Sequence, residues 1–240
     1  YYCKYAYKYA SEITYGLACF AEIRNKKTLK IMSVGCGPCT ELAAVDYLKE
    51  KGVLNYEKLQ YRGIDPLGNV WRRIWSDIKE YFGNGISFYQ KDILELVDII
   101  TRHSWVPDVL IFQYVFSDMY KNSSTIEINQ FIDKLATFLN ACGEKPIYIL
   151  CNDINLSKAY NGGREFFDAL ESKISNPKIV RRMHFNNNNK DRHFEYGDEY
   201  KRNCLIFDDI PDEIRKAYNP FDSCASAQIL IKKEQKEVIR

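Results

Sequence analysis

The sequence predicts an α/β protein built on a doubly wound, mostly parallel sheet that finishes with a C-terminal antiparallel strand pair. Three observations carry this reading. Strand-like runs alternate with helix-period stripes from Leu29 to Ile174, as the crossover connections of a parallel sheet require. Val109–Tyr114 carries no charge and opens with four apolar residues, which suits a strand buried on both faces. Two late strand-like runs, Lys178–Phe185 and Ala227–Lys232, flank a long polar excursion and read as an antiparallel pair at the sheet edge.

The elements follow in order. Tyr5, Tyr9, Ile13, Leu17 and Phe20 recur at helical spacing within a tyrosine-rich segment, Tyr1 to Arg24. This is either a helix packed on the domain edge or a lid over a ligand, since tyrosine supplies contact area together with a hydroxyl. Leu29–Val34 reads as the first strand, and a helix from Thr40 to Lys51 follows, with Gly52 placed to cap it. Leu59–Ile64 is a second strand ending at Asp65-Pro66. Val70, Trp71, Ile74, Trp75, Ile78 and Phe82 make the apolar stripe of the next helix. Ile86–Tyr89 is a short third strand leading to Asp92. Ser124-Thr125-Ile126-Glu127 is a capping box opening a helix with Ile128, Phe131, Ile132, Leu135 and Leu139 on its stripe. Pro146–Cys151 is the fifth strand, and Arg164–Ile174 the helix after it.

Composition limits the function classes. At 240 residues the chain suits one sizeable domain with a modest extension. A formal net charge of +2 gives no global argument for nucleic acid or an anionic membrane. The longest uncharged apolar run, Val109 to Phe116, is far too short to span a bilayer. No signal-peptide pattern is visible, and the chain opens on Tyr1. Of eight cysteines, only Cys36 and Cys39 are closely spaced. Without a second such pair or paired histidines, no metal centre is expected. Scattered thiols fit a reducing compartment, so a cytoplasmic location is expected.

The chemistry concentrates where the first strand breaks into Ser33-Val34-Gly35-Cys36-Gly37-Pro38-Cys39-Thr40-Glu41. A glycine turn between strand and helix lets backbone N–H groups approach a bound nucleoside. The same letters spell Cys-Gly-Pro-Cys, a redox signature that places Cys36 at a helix N-terminus, where its pKa would fall. Three further strand ends favour the nucleoside. Asp65 ends strand two, Asp92 follows strand three, and Gln113-Tyr114 ends strand four. In an open α/β sheet, ligands sit outside the carboxyl ends of the strands, where the strand order reverses. A carboxylate at Asp65 accepts both ribose hydroxyls. One at Asp92 accepts an adenine amino group, with Ile93 against the ring. A thioredoxin-like domain is shorter and has no need of these acids. A nicotinamide-dinucleotide site would need glycine where Thr40 stands. A P-loop would need a lysine that is missing.

Over roughly Leu29 to Asp153 the chain resembles the class I S-adenosylmethionine-dependent methyltransferases, whose Rossmann-like fold ends in an antiparallel strand pair. Within them it is similar to a poorly characterised subgroup, some of whose members are associated with ribosome assembly. The resemblance implies S-adenosylmethionine as cofactor, with contacts from Gly35, Cys36, Gly37, Pro38, Asp65, Pro66, Asp92, Ile93, Gln113 and Tyr114. It divides the chain into an N-terminal helical extension or lid, 1–27, and a cofactor-binding domain, 28–240. Two positions depart from the pattern. Ser33 stands where an acid usually holds the cofactor's amino group, a task for which Ser33 or Glu41 could substitute. Cys39 stands at the third glycine. These departures keep a catalytically silent interaction or assembly module as the alternative.

Methyl transfer needs alignment, with a base only where the acceptor must lose a proton. The catalytic candidates are Tyr114, Asp118 and Asp153, with Asn152 beside them. The acceptor is a small molecule, a protein or RNA. Strand four lacks the Pro-Pro-aromatic run with which amino-methylating nucleic-acid enzymes grip a base, and no Pro-Cys nucleophile is present. RNA contact is instead carried by 178–202, where Lys178, Arg181, Arg182, His184, Lys190, Arg192, His193, Lys201 and Arg202 interleave with Phe185, Phe194, Tyr196 and Tyr200. The acids Asp191, Glu195, Asp198 and Glu199 in the same segment favour a solvated loop over RNA contact.

Overall fold

The computed structural model describes residues 2–102, 105–142, 145–160, 162–185, 195–200, 207, 210–217 and 225–235. The strands are β1 (Thr28–Val34), β2 (Lys58–Ile64), β3 (Ile86–Tyr89), β4 (Val109–Gln113), β5 (Ile147–Ile154), β6 (Pro177–Phe185), β7 (Asp198–Tyr200) and β8 (Ser226–Lys233). They form one sheet in the order β3-β2-β1-β4-β5-β8-β6-β7. β1 to β5 are parallel, and β8 runs antiparallel to both β5 and β6. The order reverses between β1 and β4, so a crevice opens above their carboxyl ends.

The helices are α1 (Tyr2–Ala18), α2 (Thr40–Glu50), α3 (Gly68–Phe82), α4 (Leu96–Arg102), α5 (Phe116–Asn122), α6 (Thr125–Ala141), α7 (Glu165–Lys173) and α8 (Asp212–Ala217). α1, α2 and α3 cover one face, where Ile13, Leu17, Leu42, Val45 and Trp75 pack on Leu29, Ile31, Ile111 and Leu150. α4 to α7 cover the other, where Ile100, Phe116, Phe131 and Phe167 pack on Val34, Phe112 and Ile149. The local signals act as read. Ser124 and Glu127 close the capping box of α6. Gly52, at φ +67°, ends α2, with its N–H on Lys49 O and that of Val53 on Leu48 O, a Schellman motif.

Four expectations change. The antiparallel pair is not the sheet edge, because β7 lies outside β6 and runs parallel to it. β5 continues to Ile154, so Asn152 and Asp153 are buried strand residues rather than a solvated end. On α3 only Trp75 of the expected stripe is fully buried, and Val70 is 66% exposed. α1 does not pack at a domain edge. Ile13, Leu17 and Phe20 are wholly buried in the sheet-facing core, each contributing about 1.5–3 kcal/mol of burial, and its N-terminal half reaches the crevice.

Asp108 pins the opposite, amino edge. It pairs with Lys26 at 2.8 Å and Lys145 at 2.9 Å and accepts the N–H of Lys30. Burial pulls the other way, yet these bonds hold its carboxyl below the ordinary carboxylate value.

Candidate functional site

The glycine turn is held open from three sides. Gly35 and Gly37 have φ of +63° and +48°. A Cβ on Gly35 would come within 2.7 Å of Val115 Cγ2, so a side chain there meets both strain and the next wall. Trp75 Nε1 donates to Gly37 O at 2.9 Å, tying α3 to the turn. Asp65 completes the clamp. Its Oδ2 accepts the N–H of Gly37 at 2.9 Å and its Oδ1 accepts that of Leu67 at 2.8 Å. Burial pushes its carboxyl up, with the two backbone bonds opposing. Trp71 adds a side-chain bond to the same carboxylate.

The crevice is a cavity of about 660 Å³. Gly35, Cys36, Gly37 and Pro38 form one wall, Asp65 and Pro66 with Leu67 and Trp71 a second, Asp92 and Ile93 a third, and Gln113 and Tyr114 its inner end. All ten residues assigned to the cofactor from sequence therefore meet around one space. Asp92 also caps the turn after it, accepting the N–H of Leu94 at 2.8 Å. Asp118, Met119, Asn122 and Ser123 line the α5 side. Tyr9 and Thr40 were not read from sequence. Thr40 Oγ1 donates to Gln113 Oε1 and Gln113 Nε2 donates to Tyr9 O, both at 2.9 Å. That clasp joins α1, the glycine-turn helix and β4.

The catalytic candidates separate. Asp118 lines the cavity and pairs with Lys121 at 3.2 Å on the exposed side of α5. The ring of Tyr114 lines the cavity, but its hydroxyl donates to Glu12 Oε2 at 3.0 Å, inside a buried cluster. Asn152 is wholly buried and donates to the same oxygen. Asp153 is also wholly buried and absent from the cavity wall. Its Oδ2 accepts the N–H groups of Phe116 and Ser117 at 2.8 and 3.1 Å, capping α5. Ser33 and Glu41 are not among the residues that line the cavity. Both are buried off the cavity, where Ser33 bonds Glu41 and the Tyr61 hydroxyl donates to it.

Cys36 and Cys39 are free thiols, 4% and 3% exposed. Cys39 is the N-cap of α2, at φ 60°. Burial pushes both thiols up, Cys36 strongly, opposite to a redox nucleophile. Iodoacetamide at pH 7 is expected to modify both at least ~10-fold more slowly than free cysteine, as read by mass spectrometry on the folded protein. Faster-than-free alkylation at Cys36 would restore the redox reading.

Part of 178–202 lies outside the described residues, including Lys190, Arg192, His193, Phe194, Lys201 and Arg202. Of the rest, Arg181 pairs with Asp198 and Arg182 with Glu171. His184 is buried, its Nδ1 accepting the N–H of Tyr196 at 3.2 Å. No helix among the described residues is long and apolar enough to cross a membrane.

No family model matches the chain, and no curated protein matches it in sequence. Solved structures do match. A candidate S-adenosylmethionine-dependent methyltransferase from Streptococcus mutans aligns over 94% of this chain and 48% of its own, at 12% identity and a TM-score of 0.50. SMU.776, a candidate methyltransferase in complex with S-adenosylhomocysteine, gives the same coverage, identity and score. The chain has the Rossmann-like α/β fold of these solved structures. WbdD aligns over 95% of this chain and 36% of its own, at 11% identity and a TM-score of 0.51. The chain thus spans about half, or less, of the length of these structures, and at such identities the likeness concerns the fold.

Proposed function

We propose that the chain is an S-adenosylmethionine-dependent methyltransferase. One observation carries the reading: the glycine turn, Asp65 and Asp92 converge on a single cavity at the reversal of strand order. The residues fit the cofactor. The open cradle at Gly35, which a Cβ would fill, admits a ligand against the backbone. The Asp65 carboxylate on the cavity wall suits a ribose hydroxyl, and Asp92 with Ile93 suits an adenine edge and face. When bound, the cofactor supplies a methyl group made electrophilic by its sulfonium. The chain's own contribution is alignment and exclusion of water, with Gln113 clasped between Thr40 and Tyr9 and the Tyr114 ring closing the inner end. Tyr114, Asn152 and Asp153 are engaged elsewhere, which leaves Asp118 as the carboxylate on the α5 wall for any proton the acceptor sheds.

The acceptor is a small molecule, a protein or RNA. A catalytically silent module is the second reading, favoured by the burial of Ser33 and Glu41 away from the cavity. Calorimetric titration with S-adenosylhomocysteine tests the cofactor. Binding in the micromolar range is expected, and none at ~1 mM would remove it. Tritium transfer from labelled cofactor to fractionated RNA, protein and metabolites then separates enzyme from module.

A further inference from the structure

Lys8 and Glu12 form an ion pair of 3.2 Å on α1, with 4% and 2% of their surfaces exposed. A buried pair of this kind adds little stability over apolar residues of similar size, so its role lies in what it touches. Glu12 gathers groups from three distant segments. Tyr114 OH and Asn152 Nδ2 donate to its Oε2 at 3.0 and 2.8 Å, the Ser226 hydroxyl donates to its Oε1, and Gln228 Nε2 donates to its backbone carbonyl at 3.0 Å. Lys8 donates to the Tyr114 hydroxyl at 3.3 Å and stands 5.8 Å from the ring centroid.

All of this converges on one wall of the cavity. Tyr114 has φ 55°, in the left-handed region that tyrosine does not favour. Its N–H is held by Asn152 O at 2.7 Å. Its ring stacks on Tyr9, centroids 4.0 Å apart, and both line the cavity. The hydroxyl is thus held in the cluster while the residue lines the cavity.

We propose that Glu12 is a positioning residue for the inner end of the cavity. Through the Tyr114 hydroxyl and Asn152 it fixes the Tyr114 ring and registers α1 against β4, β5 and β8. The effect on ligand binding rests on the cofactor reading above, whereas the ordering of Tyr114 rests on the ligand-free geometry.

The test is a double-mutant cycle on the full chain with Glu12→Gln, Tyr114→Phe and both together. Each single change is expected to weaken S-adenosylhomocysteine binding about tenfold, and the double change by less than the product of the two, because both act on the bond between the Tyr114 hydroxyl and Glu12. In the ligand-free protein, amide exchange across 113–116 rises in each variant while the β4 interior stays protected. Asp108→Asn, at the other edge of the sheet, serves as a stability control that leaves the affinity unchanged. Additive losses, a Glu12→Gln affinity equal to wild type, or an equal loss in the Asp108 control would overturn the proposal. Should the wild type bind no S-adenosylhomocysteine, the cofactor reading falls. The exchange data then decide alone, and unchanged exchange at 113–116 overturns the positioning role.

Discussion

Asp65→Ala is expected to weaken S-adenosylhomocysteine binding by more than ~100-fold, about 3 kcal/mol. The carboxylate does two things at once. It anchors the turn through the N–H groups of Gly37 and Leu67, and it stands on the wall of the cavity. Alanine removes both and leaves two backbone donors without their acceptor. Asp65→Asn is no remedy, because its amide nitrogen must face one of those donors. Calorimetry on both variants reads the effect. An alanine variant that binds within about fivefold of wild type would mean that the ligand sits elsewhere.

The largest effect on stability belongs to Asp153. Its carboxylate takes three backbone N–H groups, from Phe116, Ser117 and Ile154, in a fully buried position. Asp153→Ala strands them and uncaps α5, at an expected cost of about 3–5 kcal/mol by urea unfolding. A loss under about 1 kcal/mol would show that α5 finds another cap. The acid also sets a pH dependence. Burial outweighs these three bonds and a fourth from the Ser117 side chain, and pushes its pKa from 3.8 up to about 6. The folded state therefore keeps the proton longer than the unfolded chain. The stabilisation is complete below about pH 4 and is lost as pH rises through 6, a swing of about 3 kcal/mol. Asp153→Asn is expected to reduce that slope, leaving the same-sign contributions of Asp65 and Glu41 and the opposing one of Asp108, which fades as acid protonates it.

The strand ends were legible in the sequence because a parallel sheet forces its ligands to one edge. Once β1, β2, β3 and β4 are located, Gly35, Asp65, Asp92 and Gln113 fall in place. What escaped has physical reasons. α5 starts directly after β4, and its cap is the side chain of Asp153, 37 residues after Phe116, so no local motif announces it. Lys8 and Glu12 look like the solvated face of an amphipathic helix. Only the packing of α1 on the sheet shows that their side is also covered. Asp153 resembles a polar strand terminus until β8 pairs alongside it. The short β7, three residues long, has too little sequence to carry a period.

The placement of β8 between β5 and β6 bears on how the polypeptide reaches its native form. β8 is the last of the eight strands in sequence, yet it joins two that were made earlier, at Ile147–Ile154 and Pro177–Phe185. Until it emerges from the ribosome, β5 and β6 have no strand between them, and the nascent chain displays unpaired, apolar edges. Folding therefore closes through a long-range step and is slow relative to helix formation. A ribosome-bound chain stopped before Ser226 would be a natural client for chaperones.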